Sequence, residues 1–303
     1  DSVYYDASAW SLANFYNMAY SAVTTATLGK EVKSIDVTTK IPERSGYAYI
    51  MPWTDYSAPA ALYQLQRHGV ITTAAFKPFS MGDKDYGYGT VVIPVNRQKI
   101  SSDSLYQVIK AVAAAWNVTI DKTETGYSQR GIDLGSGNLK FMQQPKVAML
   151  VGQGVSSYEH GEVWHLMDTR VKMPVTKVPV RNFARLDLKQ YNVMVLVSGA
   201  YNQIDSAGVA RLRSWVSDGN TLVTSRGGSK WVIDQQIVKE SFVKPEKKKT
   251  ELTKRLPYVS AREHIGKKSV GGRFLRLIWI LPTRLGSAIG WGKYLFTETV
   301  TSG

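Results

Sequence analysis

Lys146-Val-Ala-Met-Leu-Val-Gly-Gln-Gly-Val-Ser-Ser-Tyr-Glu-His160 decides the fold. Its apolar run, Val147 to Val151, has the length and continuity of a strand buried on both faces, as in a parallel sheet. Ser156 and Glu159 then stand at capping-box spacing, so a helix is expected from Tyr158 to about Thr169. The same alternation continues downstream. A strand is expected near Val175 to Val180, and a strongly apolar one in Tyr191 to Val197, ended by Ser198-Gly199. Asp205 or Ser206 caps an amphipathic helix reaching Val216, and Asp218-Gly219-Asn220 turns the chain into a strand from Thr221 to Ser225. A further helix is expected to open after Gly227-Gly228. Strands alternating with helices of this length imply right-handed crossovers, a parallel sheet and ligand sites at the strand C-termini.

Upstream, the pattern after Pro42 reads as a first α/β subdomain over residues 46–140. It holds an apolar run from Tyr47 to Met51, a helix from Ser57 to His68 closed by Gly69, and strands near Thr72 to Phe76 and Thr90 to Val95. Ser101 or Ser102 caps a helix to about Trp116, and a polar strand follows near Thr119 to Thr125. The Gly-, Ser- and Gln-rich stretch from Gly126 to Gln144 reads as a boundary. Residues 1–45, aromatic from Tyr4 to Tyr20, read as a packing segment. The chain is thus an α/β protein of two subdomains, the second being a doubly wound parallel sheet over residues 146–272.

Composition narrows the chemistry. The 303 residues include no cysteine, which excludes disulfides, thiolate metal sites and cysteine nucleophiles together. The formal charge is +14, but from Lys244 onward 13 Lys and Arg face 4 Asp and Glu, so +9 of it sits in the last 60 residues. The run from Lys244 to Arg255 is interrupted by Glu246 and Glu251 and lacks stacking aromatics, so it reads as a solvated linker and not as a nucleic-acid site. No stretch has the roughly 18 apolar residues of a membrane span, and no signal pattern opens the chain. A start at Asp1 suits a fragment with more chain upstream.

The succession VAMLVGxGVSSYExGEVWHLMD, MPVTKV, YNVMVLVSGAY and WVSDGNTLVTSRGGSKW resembles the glutamine-amidotransferase-like domain appended to certain large bacterial zinc carboxypeptidases. The segments YYDASAWSLANFYNMAY, GYAYIMPWTDYSAPAALYQL and GTVVIPVNRQ resemble the region between the peptidase and that appended domain. The resemblance runs to Gly272. It implies an exported parent, periplasmic or secreted, that holds zinc and releases C-terminal residues from peptides. The fragment's partner would then be an upstream peptidase domain of the same chain, with peptide as substrate and no cofactor in the fragment itself. Zinc carboxypeptidases use a His-x-x-Glu pair, and the four histidines here, His68, His160, His165 and His264, offer none.

Two constellations are candidates for chemistry. In the resembled fold the nucleophile sits on the turn between a strand and a helix, here within Leu222 to Ser229. One register puts Arg226 there, which cannot attack. The other puts Ser225 there, a serine hydrolase if His160 or His165 supplies the base. The second constellation, Glu159, His160, Glu162 and His165, raises a metal. His160 and His165 point about 140° apart on a helix, whereas Glu159, Glu162 and His165 share a face. Acidic residues in a first turn are also what the helix dipole favours. Trp53, Tyr56, Tyr86 and Tyr88 lie near turn residues and raise a carbohydrate or peptide surface, with core packing as the plainer reading.

The resemblance stops at Gly271-Gly272. Leu277 to Ser287 can be encoded so that a shifted frame spells Tyr-Leu-Asp-Ser-Thr-His-Pro-Leu-Gly-Phe, close to the expected continuation of the family pattern. Residues 273–303 therefore read as a frameshifted tail, poorly packed, with an unpaired sheet edge where the true last strands belong. The function read from all this is a non-catalytic accessory or scaffold region, with the Ser225 hydrolase as the alternative.

Overall fold

The computed structural model describes residues 18–21, 23–25, 29–31, 33 and 40–241, and the backbone of 278–279. Most of the N-terminal packing segment, the Lys244 to Arg255 run, His264 and nearly all of the tail lie outside the described residues. The architecture is α/β, with one parallel four-stranded sheet and two antiparallel ones.

The first unit is built on β1 (Ala48–Met51), α1 (Ala58–Arg67), β2 (Thr73–Ala75), β3 (Phe79–Met81), β4 (Lys84–Tyr86), β5 (Val91–Pro94), α2 (Ser102–Trp116), β6 (Asp121–Thr123), β7 (Arg130–Gly131) and β8 (Leu139–Phe141). Its main sheet runs β6-β1-β5-β2-β8 and every pairing is antiparallel, so the strand and helix alternation read there makes no parallel crossover. Both helices start and stop as their sequences dictate. Ser101 Oγ accepts from Ser104 N–H to cap α2, whose Leu105, Ile109, Val112 and Ala113 form one buried stripe. Gly69 closes α1 in the left-handed region at φ 74°.

Those helices cover one face of the sheet, packing on Tyr49, Met51, Val91 and Ile93. On the other face Ala48, Ile50 and Val92 meet Phe79, Met81 and Tyr86 of the small sheet β4-β3-β7. That small sheet is absent from the sequence reading, and so is the role of Gly126 to Gln144, which supplies β7 and β8. The stretch read as a boundary therefore completes both sheets, and the break between units falls between Phe141 and Val147.

The second unit follows the sequence more closely. Its elements are β9 (Val147–Val151), α3 (Ser157–His165), a π-helical turn (Leu166–Val171), β10 (Val175–Pro179), β11 (Val193–Leu196), α4 (Ser206–Ser217), β12 (Thr221–Thr224) and α5 (Arg226–Asp234). The sheet order is β10-β9-β11-β12. Asp205 is the α4 cap, its Oδ1 accepting from Gly208 N–H at 2.8 Å. Two boundaries differ from expectation: α3 passes into the π-helical turn after His165, and α5 begins at Arg226, with both glycines inside its first turn.

Beyond β12, Ile278–Trp279 forms β13, antiparallel to Val223–Thr224. Two residues of the tail thus cover the edge expected to be unpaired. Tyr63 of α1 is buried in the second unit's core, which joins the two units. No helix among the described residues is long and apolar enough to cross a membrane.

Candidate functional site

In a sheet ordered β10-β9-β11-β12, the crossover direction reverses between β9 and β11, and the crevice for a ligand is expected beyond their C-terminal ends. Here the two flanking loops are sewn together. Ser156 N–H donates to Ser198 O at 2.8 Å, Ala200 N–H donates to Gly154 O at 2.8 Å, and Val155 bridges Gly199.

Glu159 sits behind this seam. Ser156 Oγ accepts from Glu159 N–H at 3.3 Å, the first half of a capping box. The return half does not form, because the Glu159 carboxylate turns inward and is only 4% exposed. Oε2 accepts from Ser198 N–H at 2.9 Å and from Ser225 Oγ at 3.4 Å, and Oε1 pairs with the Arg226 guanidinium at 3.1 Å. One carboxylate thus ties the first helix to the ends of β11 and β12.

The turn from β12 into α5 decides the register left open by the sequence. Ser225 is extended, with φ −130° and ψ 144°, and is buried. Arg226 occupies the left-handed region at φ 45°, where a residue with a Cβ carries about 1–2 kcal/mol of strain. The tight elbow position therefore belongs to Arg226. Its neighbours explain the glycines. A Cβ on Gly227 would stand 2.9 Å from Ser198 Oγ, and one on Gly228 would stand 2.5 Å from Leu196 O.

No family model, curated protein or solved structure matches this chain.

The remaining candidates do not converge on the elbow. His160 Nδ1 lies 2.9 Å from Ser156 O, and His165 is exposed with its carbonyl accepting from Thr169 Oγ1. Among the described residues neither imidazole is hydrogen-bonded to Ser225. Glu162 is also exposed, so the face shared by Glu159, Glu162 and His165 in a regular helix is not a common surface: Glu159 points into the fold and the other two into solvent. Among the described residues no three His, Asp or Glu side chains are grouped to hold a metal. Of the turn aromatics, Tyr86 is buried and stacked on Phe79 at 5.1 Å between centroids, while Trp53, Tyr56 and Tyr88 are exposed.

A buried phenol completes the site. Tyr201 donates to Val197 O at 2.7 Å, and burial, then the Glu159 carboxylate, push its ionisation well above the usual tyrosine range. Tyr86 is raised too, first by burial and then by donating to Asp121 Oδ2. A raised folded-state value adds stability that is complete below the unfolded tyrosine value of about 10 and is lost as pH rises past it. In a spectrophotometric titration Tyr201 and Tyr86 are expected to stay protonated beyond that pH and to ionise only as the chain unfolds. A titration that Tyr201→Phe and Tyr86→Phe leave unchanged above that pH, with the fold intact, would show both phenols to be accessible.

Proposed function

We propose that this chain is a non-catalytic accessory region, a scaffold for a zinc-carboxypeptidase-like parent whose metal and peptidase chemistry reside in another domain of an exported protein. One observation supports it: the elbow position that would carry a nucleophile holds Arg226, and its guanidinium is bound to the buried Glu159. Guanidinium is protonated at all working pH values and does not attack carbonyls. In this reading the elbow serves as a strut, beside loops after β9 and β11 that are joined by backbone hydrogen bonds.

Ser225 is the residue that tests the reading. Its hydroxyl donates to a carboxylate, and among the described residues no imidazole is hydrogen-bonded to it, so an alkyl fluorophosphonate probe is expected to leave the chain unlabelled by intact mass. Labelling that disappears in Ser225→Ala would overturn the non-catalytic reading. The parentage is tested separately by the coding sequence around the region, where an in-frame His-x-x-Glu motif is expected upstream. An upstream frame without it would remove the peptidase and leave the scaffold.

A further inference from the structure

Helix α1 is shared by both units. Its Ala58, Ala61 and Leu65 pack into the first unit's core, as one face of an amphipathic helix does. Tyr63 stands two positions from Ala61 and from Leu65, about 200° round the axis, and is buried in the core of the second unit. Between Tyr63 and Leu65, the Gln64 side chain accepts from Trp116 Nε1 of α2, which fixes the rotation of α1 about its own axis. Tyr63 therefore cannot leave the second core unless α1 also leaves the first.

The connection between the units is held at both ends. Met142, just past β8, donates its N–H to Thr72 O at 3.0 Å and packs against the first core. Asn192, just before β11, clamps the other end. Its Oδ1 accepts from Lys146 N–H at 2.7 Å, its Nδ2 donates to Gln144 O at 2.9 Å, and its own N–H donates to Lys146 O at 3.1 Å. Only Gln143, Gln144 and Pro145 lie between Met142 and Lys146, and Pro145 fixes its own φ while restricting Gln144 to extended backbone.

We infer that the two units are locked as one rigid body, with Tyr63 as the bolt and Asn192 as the clamp on the connection. Two units joined by a link ordinarily move against one another, and closure of that kind is how many proteins grip a ligand between domains. The lock removes the motion. Whatever binds one unit is held at a fixed distance and angle from whatever binds the other, which makes the chain a spacer and not a closing clamp. This is a property of the joint alone, with or without a peptidase partner, and so goes beyond the accessory reading.

The full chain has no cysteine, so nitroxide labels can be placed only where substitutions put them. Lys110→Cys in α2 with Ala210→Cys in α4, both exposed, spans the joint, and Tyr158→Cys in α3 with Ala210→Cys lies within the second unit. Double electron–electron resonance should give the spanning pair a single distance peak of the same width as the internal pair. Tyr63→Ala should at least double the spanning width and leave the internal one unchanged. Asn192→Asp, which keeps the acceptor for Lys146 N–H and loses the donor to Gln144 O, should broaden the spanning peak less. Two peaks in the otherwise unaltered chain, or a spanning width at least twice the internal one, would overturn the lock. So would a Tyr63→Ala width equal to that of the unaltered joint. Where Tyr63→Ala broadens the internal pair as well, because the second core fails to form, Asn192→Asp decides: a broader spanning peak supports the clamp, and an unchanged one overturns it.

Discussion

Glu159→Ala is expected to destabilise the second unit by about 2–3 kcal/mol, the cost of leaving the buried Ser198 N–H without an acceptor together with the loss of the Arg226 anchor. The amide contributes most of this. The Arg226 side chain is 41% exposed, so its share of the ion pair is screened by water and is discounted accordingly. Arg226→Ala leaves the carboxylate with Ser198 N–H and Ser225 Oγ, and should cost less, about 1–2 kcal/mol. Arg226→Gly removes the same ion pair but relieves the left-handed backbone, and should recover about 1 kcal/mol relative to the alanine variant. Urea denaturation is expected to order the stabilities as wild type, then the glycine variant, then the alanine variant, then Glu159→Ala. A glycine variant more stable than wild type would mean that strain outweighs the ion pair and that Arg226 is retained for something other than the fold.

Much of this unit is legible in the sequence because its signals are local and long. The run from Val147 to Val151 is apolar at every position, which a strand covered on both faces requires, and Asp205 announces α4 by its own capping chemistry. The first unit is harder. β3 and β4 are three residues each, and β4 contains Lys84 and Asp85, so neither shows a period. The available signal is Gly82-Asp83, a two-residue hairpin loop with Gly82 at φ 58°. Likewise β8 hides in a stretch that composition alone marks as loop.

The site divides in the same way. That a tight turn lies between Thr224 and Ser229 follows from its glycines, but which residue takes the left-handed position depends on where β11 ends against α5. Glu159 looks fully explained by local rules. Its spacing from Ser156 and its place in a first helical turn suffice to explain an acidic residue, and nothing local shows that the side chain turns 39 positions downstream to Ser198 and 67 to Arg226. Only the packing of three strand ends brings those groups together. A buried carboxylate is identified by its partners, and all of them are distant in sequence.

Gly228→Ala separates packing from propensity by its sign. Gly228 lies in the first turn of α5 and is not among the glycines with positive φ, so a helix-forming alanine should stabilise it by about 1 kcal/mol if nothing stood in the way. The Cβ would stand 2.5 Å from Leu196 O and 2.7 Å from Val197 O, both backbone atoms at the end of β11, which have no rotamer to adopt. The helix must therefore move. Trp231, tilted against Tyr201 at 5.4 Å, and the buried Val232 move with it. Leu196 O also accepts from Ser225 N–H at 3.0 Å, so the shift strains the elbow and draws Arg226 from Glu159. A net loss of about 3 kcal/mol is expected, the upper part of the range for overpacked cores. Gly227→Ala should cost less, about 1 kcal/mol, because its closest obstacle is the Ser198 hydroxyl, a side-chain atom that can rotate, although Gly199 N stands at 3.0 Å. Stabilisation by both alanines, read as a rise in the urea midpoint with unchanged slope, would refute the close approach of α5 to β11 and with it the geometry that places Arg226 over the carboxylate.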